Sequence, residues 1–154
     1  MPHDQRMEHV AFQLAEATAE QLGGLAILGC EVLSDADMAR AVELGFPVDT
    51  IDELRRTGVT DREIGNLIIK PRTLSHRRAK RSRLTVEESD RAARVARIVA
   101  LARKTFANRD KADRWLHKEL SALEGRRPMD LIRTHAGARI VEDLLTGIAW
   151  GAVA

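Results

Sequence analysis

Apolar residues recur along most of this chain at intervals of three and four, the spacing of one helix face, and no segment alternates as a half-buried strand would. Glu8 to Leu22 follows the helical pattern and is broken by Gly23-Gly24. Ser34 is placed to N-cap a helix from Asp35 to Leu44, which Gly45 and Pro47 stop. Thr50 to Arg56 reads as a short helix closed by Gly58. Thr60-Asp61-Arg62-Glu63 fits a reciprocal capping box and opens a helix to about Ile68. After a tight connection at Ile69-Lys70, Pro71 falls at a first helical position, where its missing N–H costs nothing, and that helix is predicted to run to about Ser82.

A second capping box, Thr85-Val86-Glu87-Glu88, predicts the longest helix, Val86 to about Ala107, with Ala92, Val95, Ala96, Val99 and Phe106 on one face. Lys111 to Leu123 reads as helix, "EGRRPMD" as a turn, and Met129 to Thr134 as a short element. Gly137 allows a bend. Ala138 to Thr146 is expected as a compact helix with Ile140, Val141, Leu144 and Leu145 inward, leaving "GIAWGAVA" as an apolar tail. The fold class is therefore all-α. Three segments are expected: N-terminal helices over 1–44, a helical unit over 45–108 that ends in the long helix, and a smaller unit over 109–154.

Charge changes this picture in one place. Residues 1–58 carry four basic and eleven acidic side chains (net −7), residues 59–84 eight and two (net +6), and residues 85–154 thirteen and ten (net +3). These sum to the +2 of the whole chain. The middle block thus carries a field that the total conceals. It is concentrated in "KPRTLSHRRAKRSR", Lys70 to Arg83, where seven of fourteen residues are Lys or Arg and none is acidic.

Two helices joined this tightly, the second starting at a proline, have the layout of a helix-turn-helix. At roughly 100° per residue, Leu74 falls on one side of the second helix, while Arg72, Thr73, His76 and Lys80 fall on the other with Arg77 at its edge. Leu74 can dock on the first helix through Ile64, Leu67 or Ile68. The opposite face offers Arg72, Thr73, His76, Arg77 and Lys80, with Arg81 beyond, which are types suited to phosphates and base edges. Arg91, Arg94 and Arg97 form another stripe, for which solvation or pairing with nearby acids is the simpler reading.

Composition adds limits. Aromatics are scarce: three Phe, two Trp and no Tyr. No stretch approaches the roughly 20 apolar residues of a membrane span, so no membrane partner is expected. The acidic, amphipathic start does not read as a signal peptide. The single cysteine, Cys30, lies in the apolar "LAILGCEVL" and has no partner for an internal disulfide; the cytosol is the expected compartment. The five histidines are scattered without metal-ligand spacing, and no glycine-rich phosphate loop is present, so neither catalysis nor a cofactor is expected.

The stretch "RLTVEESDRAARVARIVALARKTF", followed by "KADRWL", "GRRPMDLIRTHAGARIVEDLL" and "GIAWGAVA", with "PRTLSHRR" upstream, resembles the antitoxins of the Xre/MbcA/ParS type over about residues 45 to 154. The resemblance implies a DNA-binding middle segment that represses the antitoxin's own operon. It implies a C-terminal segment that binds an NAD-consuming RES-domain toxin and plugs its active site. Arg72, Thr73, His76 and Arg77 would read operator DNA, and Trp150, Gly151, Ala152, Val153 and Ala154 would form the plug. Relatives carry a Pro-Asn-like turn after the "WL", where "HKELSAL" here reads as continued helix, and a Tyr where this chain has Trp150. The partners expected are the toxin, operator DNA and a second copy of the chain, with self-association assigned to residues 1–44. A stand-alone helix-turn-helix regulator, or an adaptor binding an acidic protein, are the alternatives that the residues alone leave open.

Overall fold

The computed structural model describes residues 3–151. Among them, ten α-helices follow one another: α1 (His3–Gln21), α2 (Gly24–Leu28), α3 (Asp35–Leu44), α4 (Asp49–Arg56), α5 (Asp61–Leu67), α6 (Pro71–Ala79), α7 (Val86–Phe106), α8 (Arg109–His117), α9 (Pro128–Leu131) and α10 (His135–Ala149). A 3-10 turn covers Ser121–Leu123. The only strand-like pairing among the described residues is an isolated bridge between Leu120 and Arg126. The chain forms two compact units, Met1–Arg97 and Ile98–Ala154. The division falls inside α7.

In the first unit the caps form as read from the sequence. The Ser34 hydroxyl accepts from Asp37 N–H at the head of α3. Thr60 and Glu63 close the capping box of α5, and Thr85 and Glu88 close that of α7. Pro71 opens α6. Packed around them, α1 contacts α2 and α3, and α2 contacts α4. Leu22, Ile51 and Leu54 are fully buried, and Leu74 is the one buried residue of α6.

The turn after α3 ties this unit together. Gly45 lies at φ 80° and ψ 132°, outside the regions open to a residue with a Cβ. Its carbonyl accepts from Arg83 Nη1 at 2.7 Å. Phe46, buried, donates its N–H to Ser89 Oγ at 2.8 Å and accepts from Leu84 N–H at 2.9 Å. The segment leading into α7 is thereby held against the α3–α4 turn. Ser89 is fully buried, and this bond gives its hydroxyl a partner.

The second unit departs from expectation at two points. The helix expected over Lys111 to Leu123 stops at His117, with Lys118 already extended. All the residues concerned tolerate helix, so propensity does not stop it. A tight loop centred on Leu120 does: Leu120 N–H donates to the Arg126 carbonyl, while the Leu120 carbonyl accepts from Leu123 and Gly125 N–H. The chain therefore turns after "WL" instead of continuing as helix. At the other point, α10 begins at His135, capped by Thr134, and extends to Ala149 rather than running from Ala138 to Thr146. Gly137 is no bend. It lies in the first turn of α10, where an added Cβ would collide with the Leu131 carbonyl. Val141 and Leu145 are buried as expected, but Ile140 is 47% exposed. Contacts of α9 with α8 and α10 complete this unit.

Gly45→Ala should destabilise the protein strongly, because it adds backbone strain and a clash of the new Cβ with the Leu84 carbonyl. A loss of about 3 kcal/mol or more is expected, or roughly 6–12 °C in Tm. Gly29→Ala, at φ 74° with open space around it, should cost only about 1 kcal/mol. Thermal unfolding of the two variants side by side checks the contrast; equal losses would mean that close packing at Gly45 is not the cause.

Candidate functional site

The basic segment has two kinds of cation. One kind is held. Arg77 donates from Nε and Nη2 to the two carboxylate oxygens of Glu88, at 3.3 and 3.1 Å. The Glu88 side chain is only 8% exposed, and its Oε2 also accepts the Thr85 N–H at 2.9 Å. Arg78 makes a bidentate pair with Asp52 of α4, at 2.8 and 3.1 Å. Asp52 also accepts from Arg55, which reaches on to Asp61. Arg83 is held by the Gly45 carbonyl.

The other kind faces outward. Lys70, Arg72, His76, Lys80 and Arg81 are exposed, and among the described residues their side chains make no hydrogen bond or ion pair. Arg72 and His76 share the outer face of α6, with half-buried Thr73 at its side. Lys80 is the C-cap and Arg81 follows the helix, at φ 51°, so the helix expected to reach Ser82 ends at Ala79. Of the six residues expected to touch DNA, Arg77 thus has most of its donors directed inward. The sequence pattern gave Glu88 only the role of a cap. A capping-box carboxylate that keeps its second oxygen within reach of a basic helix was the available signal.

Electrostatics follow the same division. Burial alone would raise the Glu88 pKa. The Arg77 hydrogen bond, the Thr85 N–H and the charges of Arg77 and Arg91 outweigh it and hold the carboxyl below its ordinary value. Glu88 in turn raises the Arg77 guanidinium. Asp52 is likewise lowered, with burial opposed by Arg78 and Arg55. The stripe Arg91, Arg94 and Arg97 is paired: Arg91 Nε donates to the Ile68 carbonyl, Arg94 pairs with Asp90, and Arg97 with Asp35.

In the second unit Trp115 is half-buried and meets Phe106 at 5.8 Å between ring centroids. His117 donates from Nδ1 to the Asp113 carbonyl at 2.7 Å. Trp150, the C-cap of α10, is 74% exposed, more than any other large apolar side chain described, and Gly151 follows at φ 68°. Ala152, Val153 and Ala154, expected in the same site, lie outside the described residues.

Two family models match these units in order. Residues 37–97 match the antitoxin Xre-like helix-turn-helix domain, and residues 101–151 match the antitoxin Xre/MbcA/ParS C-terminal toxin-binding domain. The chain belongs to the Xre/MbcA/ParS antitoxin family. It is similar to the Antitoxin Xre of Pseudomonas putida, 36% identical over 121 residues that cover 79% of this chain and 76% of the relative. It is also similar to the Antitoxin Xre of Yersinia enterocolitica, 33% identical over 114 residues that cover 72% and 77%. This is a family of antitoxins and not of enzymes. In this antitoxin the first match takes in α4, α5 and α6, and the second takes in α8, α9 and α10 and ends one residue past Trp150. None of the described helices is long and apolar enough to cross a membrane.

The Glu88 carboxylate should show itself in pH dependence. A carboxyl with a lowered folded-state pKa contributes stability above its unfolded value, about 4.3, and loses that contribution as pH falls through the folded value. Glu88→Gln should therefore cost roughly 1–3 kcal/mol near neutral pH. Its difference from the unaltered chain should shrink as pH falls below about 4 and Glu88 becomes protonated, while Asp37, Asp52 and Asp130 titrate in both proteins and cancel. Denaturant unfolding across pH measures this; a difference that does not change with pH would exclude an ionised Glu88 as the source.

Proposed function

We propose that this antitoxin neutralises a RES-domain, NAD-consuming toxin by seating its C-terminal end in the toxin's active site, and that it represses its own operon through α5 and α6. The observation that carries the first part is the exposure of Trp150 at the end of a rigid helix. An apolar ring left in water at the head of a tail is a liability unless a partner covers it. A helix that runs to Ala149 presents that ring with little freedom to lose on docking. Trp150, Gly151, Ala152, Val153 and Ala154 form the inserted segment in this reading. The second part rests on the outward face of α6. Arg72 and His76 suit base edges, with Thr73 beside them, and Lys70, Lys80 and Arg81 suit phosphates. Residues 1–44 serve self-association, which would pair two helix-turn-helix units on a two-fold operator; exposed Met7, Val10, Leu25 and Leu44 on α1 to α3 support this.

Coexpression with the product of a neighbouring RES-domain gene tests the first part. The full chain should co-purify with that product and protect cellular NAD. A chain truncated after Ala149 should stay helical by far-UV circular dichroism, still bind DNA and fail to protect. Trp150→Ala should weaken the complex by about thirty-fold, an anchor loss of about 2 kcal/mol. Full protection by the folded, truncated chain would move inhibition to the surface of α8 to α10. For the second part, Arg72→Ala with His76→Ala should relax base preference on the chain's own promoter by roughly 1–3 kcal/mol per base pair contacted. Unchanged preference in a binding assay would remove α6 as the reader.

A further inference from the structure

The end of α6 is built where glycine is the natural residue. Ser82 N–H donates to the Arg77 carbonyl at 3.0 Å, and Arg81 N–H to the Arg78 carbonyl at 3.1 Å, the two bonds of a Schellman closure. The residue that such a closure puts in the left-handed region is Arg81, at φ 51°. Glycine enters this region freely and a residue with a Cβ does not. The chain uses glycine for comparable turns at Gly23 and Gly29, after α1 and α2, and residues with a Cβ at Ala107, after α7, and at Glu124. At position 81 the fold alone would be better served by glycine, yet a guanidinium is held there.

Arg81 lines a cleft of about 380 Å³. Pro47, Val48 and Asp49 form one side; Arg77, Arg78, Arg81, Ser82 and Arg83 form the other. Four arginines and one acidic residue, Asp49, thus line it. Arg77, Arg78 and Arg83 are already bonded to Glu88, Asp52 and the Gly45 carbonyl. Arg81 has no such bond among the described residues, so its full set of donors is open to a ligand.

We propose that this cleft seats a backbone phosphate of duplex DNA, with Arg81 as its principal donor; the proposal rests on the helix-turn-helix reading above. A phosphate accepts the planar fork of an arginine bidentately, and the three bonded arginines lend charge without having to turn. A nucleic-acid phosphate is favoured over a free anion by position. The cleft is walled by the last turn of α6 itself, so a strand held there continues past the face that carries Arg72 and His76. Asp49 opposes the anion from the far wall, and its removal should strengthen binding.

The test uses the full chain, a duplex from its own promoter and a scrambled duplex, with fluorescence anisotropy over a salt series. Arg81→Gly should melt at the same temperature as the unaltered chain or higher, and bind both duplexes several-fold more weakly. Its log–log salt slope should be smaller by about 0.9, the loss of one phosphate contact. Asp49→Asn should bind both duplexes more tightly. Unaltered affinity and slope in Arg81→Gly would overturn the proposal, and so would a lower melting temperature, which makes Arg81 a structural residue. Calorimetry with inorganic phosphate and with ATP, without DNA, covers the free-anion source. Micromolar binding that Arg81→Gly abolishes would assign the cleft to a small ligand instead. If the unaltered chain binds neither duplex, the helix-turn-helix reading fails and takes the cleft with it. If Arg72→Ala with His76→Ala alters base preference while Arg81→Gly changes nothing, the cleft alone is wrong.

Discussion

One carboxylate, that of Glu88, performs two structural tasks at once, and the placement of the basic helix depends on it. It completes the cap of α7 through Thr85 and grips α6 through Arg77. α6 has nine residues and a single buried side chain, Leu74. A helix that short is marginal on its own, and one apolar anchor fixes its position but hardly its rotation about its own axis. A bidentate pair to a buried carboxylate supplies that second constraint, because the guanidinium and carboxylate planes must align. The Arg78–Asp52 pair has similar geometry, but both side chains are more than a third exposed, so solvent and salt weaken it. Of the two, the Glu88 clamp has the greater hold.

This arrangement alters what the positive charge of Lys70 to Arg83 means. A run of seven cations suggests a uniform field, but three of them are bonded within the fold and four, Lys70, Arg72, Lys80 and Arg81, have no such bond among the described residues. The bonded ones still add to the local potential, reduced by the acids they meet. They cannot turn to follow an incoming phosphate without breaking bonds, whereas the others can. Placement and affinity are thereby assigned to different arginines of one segment, and a count of basic residues overstates the contacts available to nucleic acid.

Most of the fold was legible where the signal is local. Ser34, Thr60, Thr85 and Pro71 mark helix starts through bonds that reach only three residues along the chain, so the residue types carry the information. The stop after His117 was not legible, because helix-forming residues continue and only the loop around Leu120 ends the helix. Gly137 was read as a bend because a glycine that lets a neighbouring backbone approach looks the same in sequence as one that turns. At the site, the outward position of Arg72 and His76 followed from helical spacing. The inward turn of Arg77 did not, since its partner lies eleven residues on, across a loop whose path the spacing cannot supply.

Trp150 shows how far local reasoning reaches at the other end of the chain. An apolar tail after a helix can be core or contact surface, and sequence alone does not separate the two. The decisive quantity is where α10 ends. Its buried stripe, Gly137, Ala138, Val141 and Leu145, closes one turn before the helix does. The helix then continues past the last residue that needs it for burial, as far as Ala149. Those extra residues carry no fully buried side chain: Gly147 and Ile148 are half-buried, and Thr146 and Ala149 are exposed. Their effect is to carry Trp150 away from the core on a stiff support. Exposure at such a position is what the proposed contact surface requires.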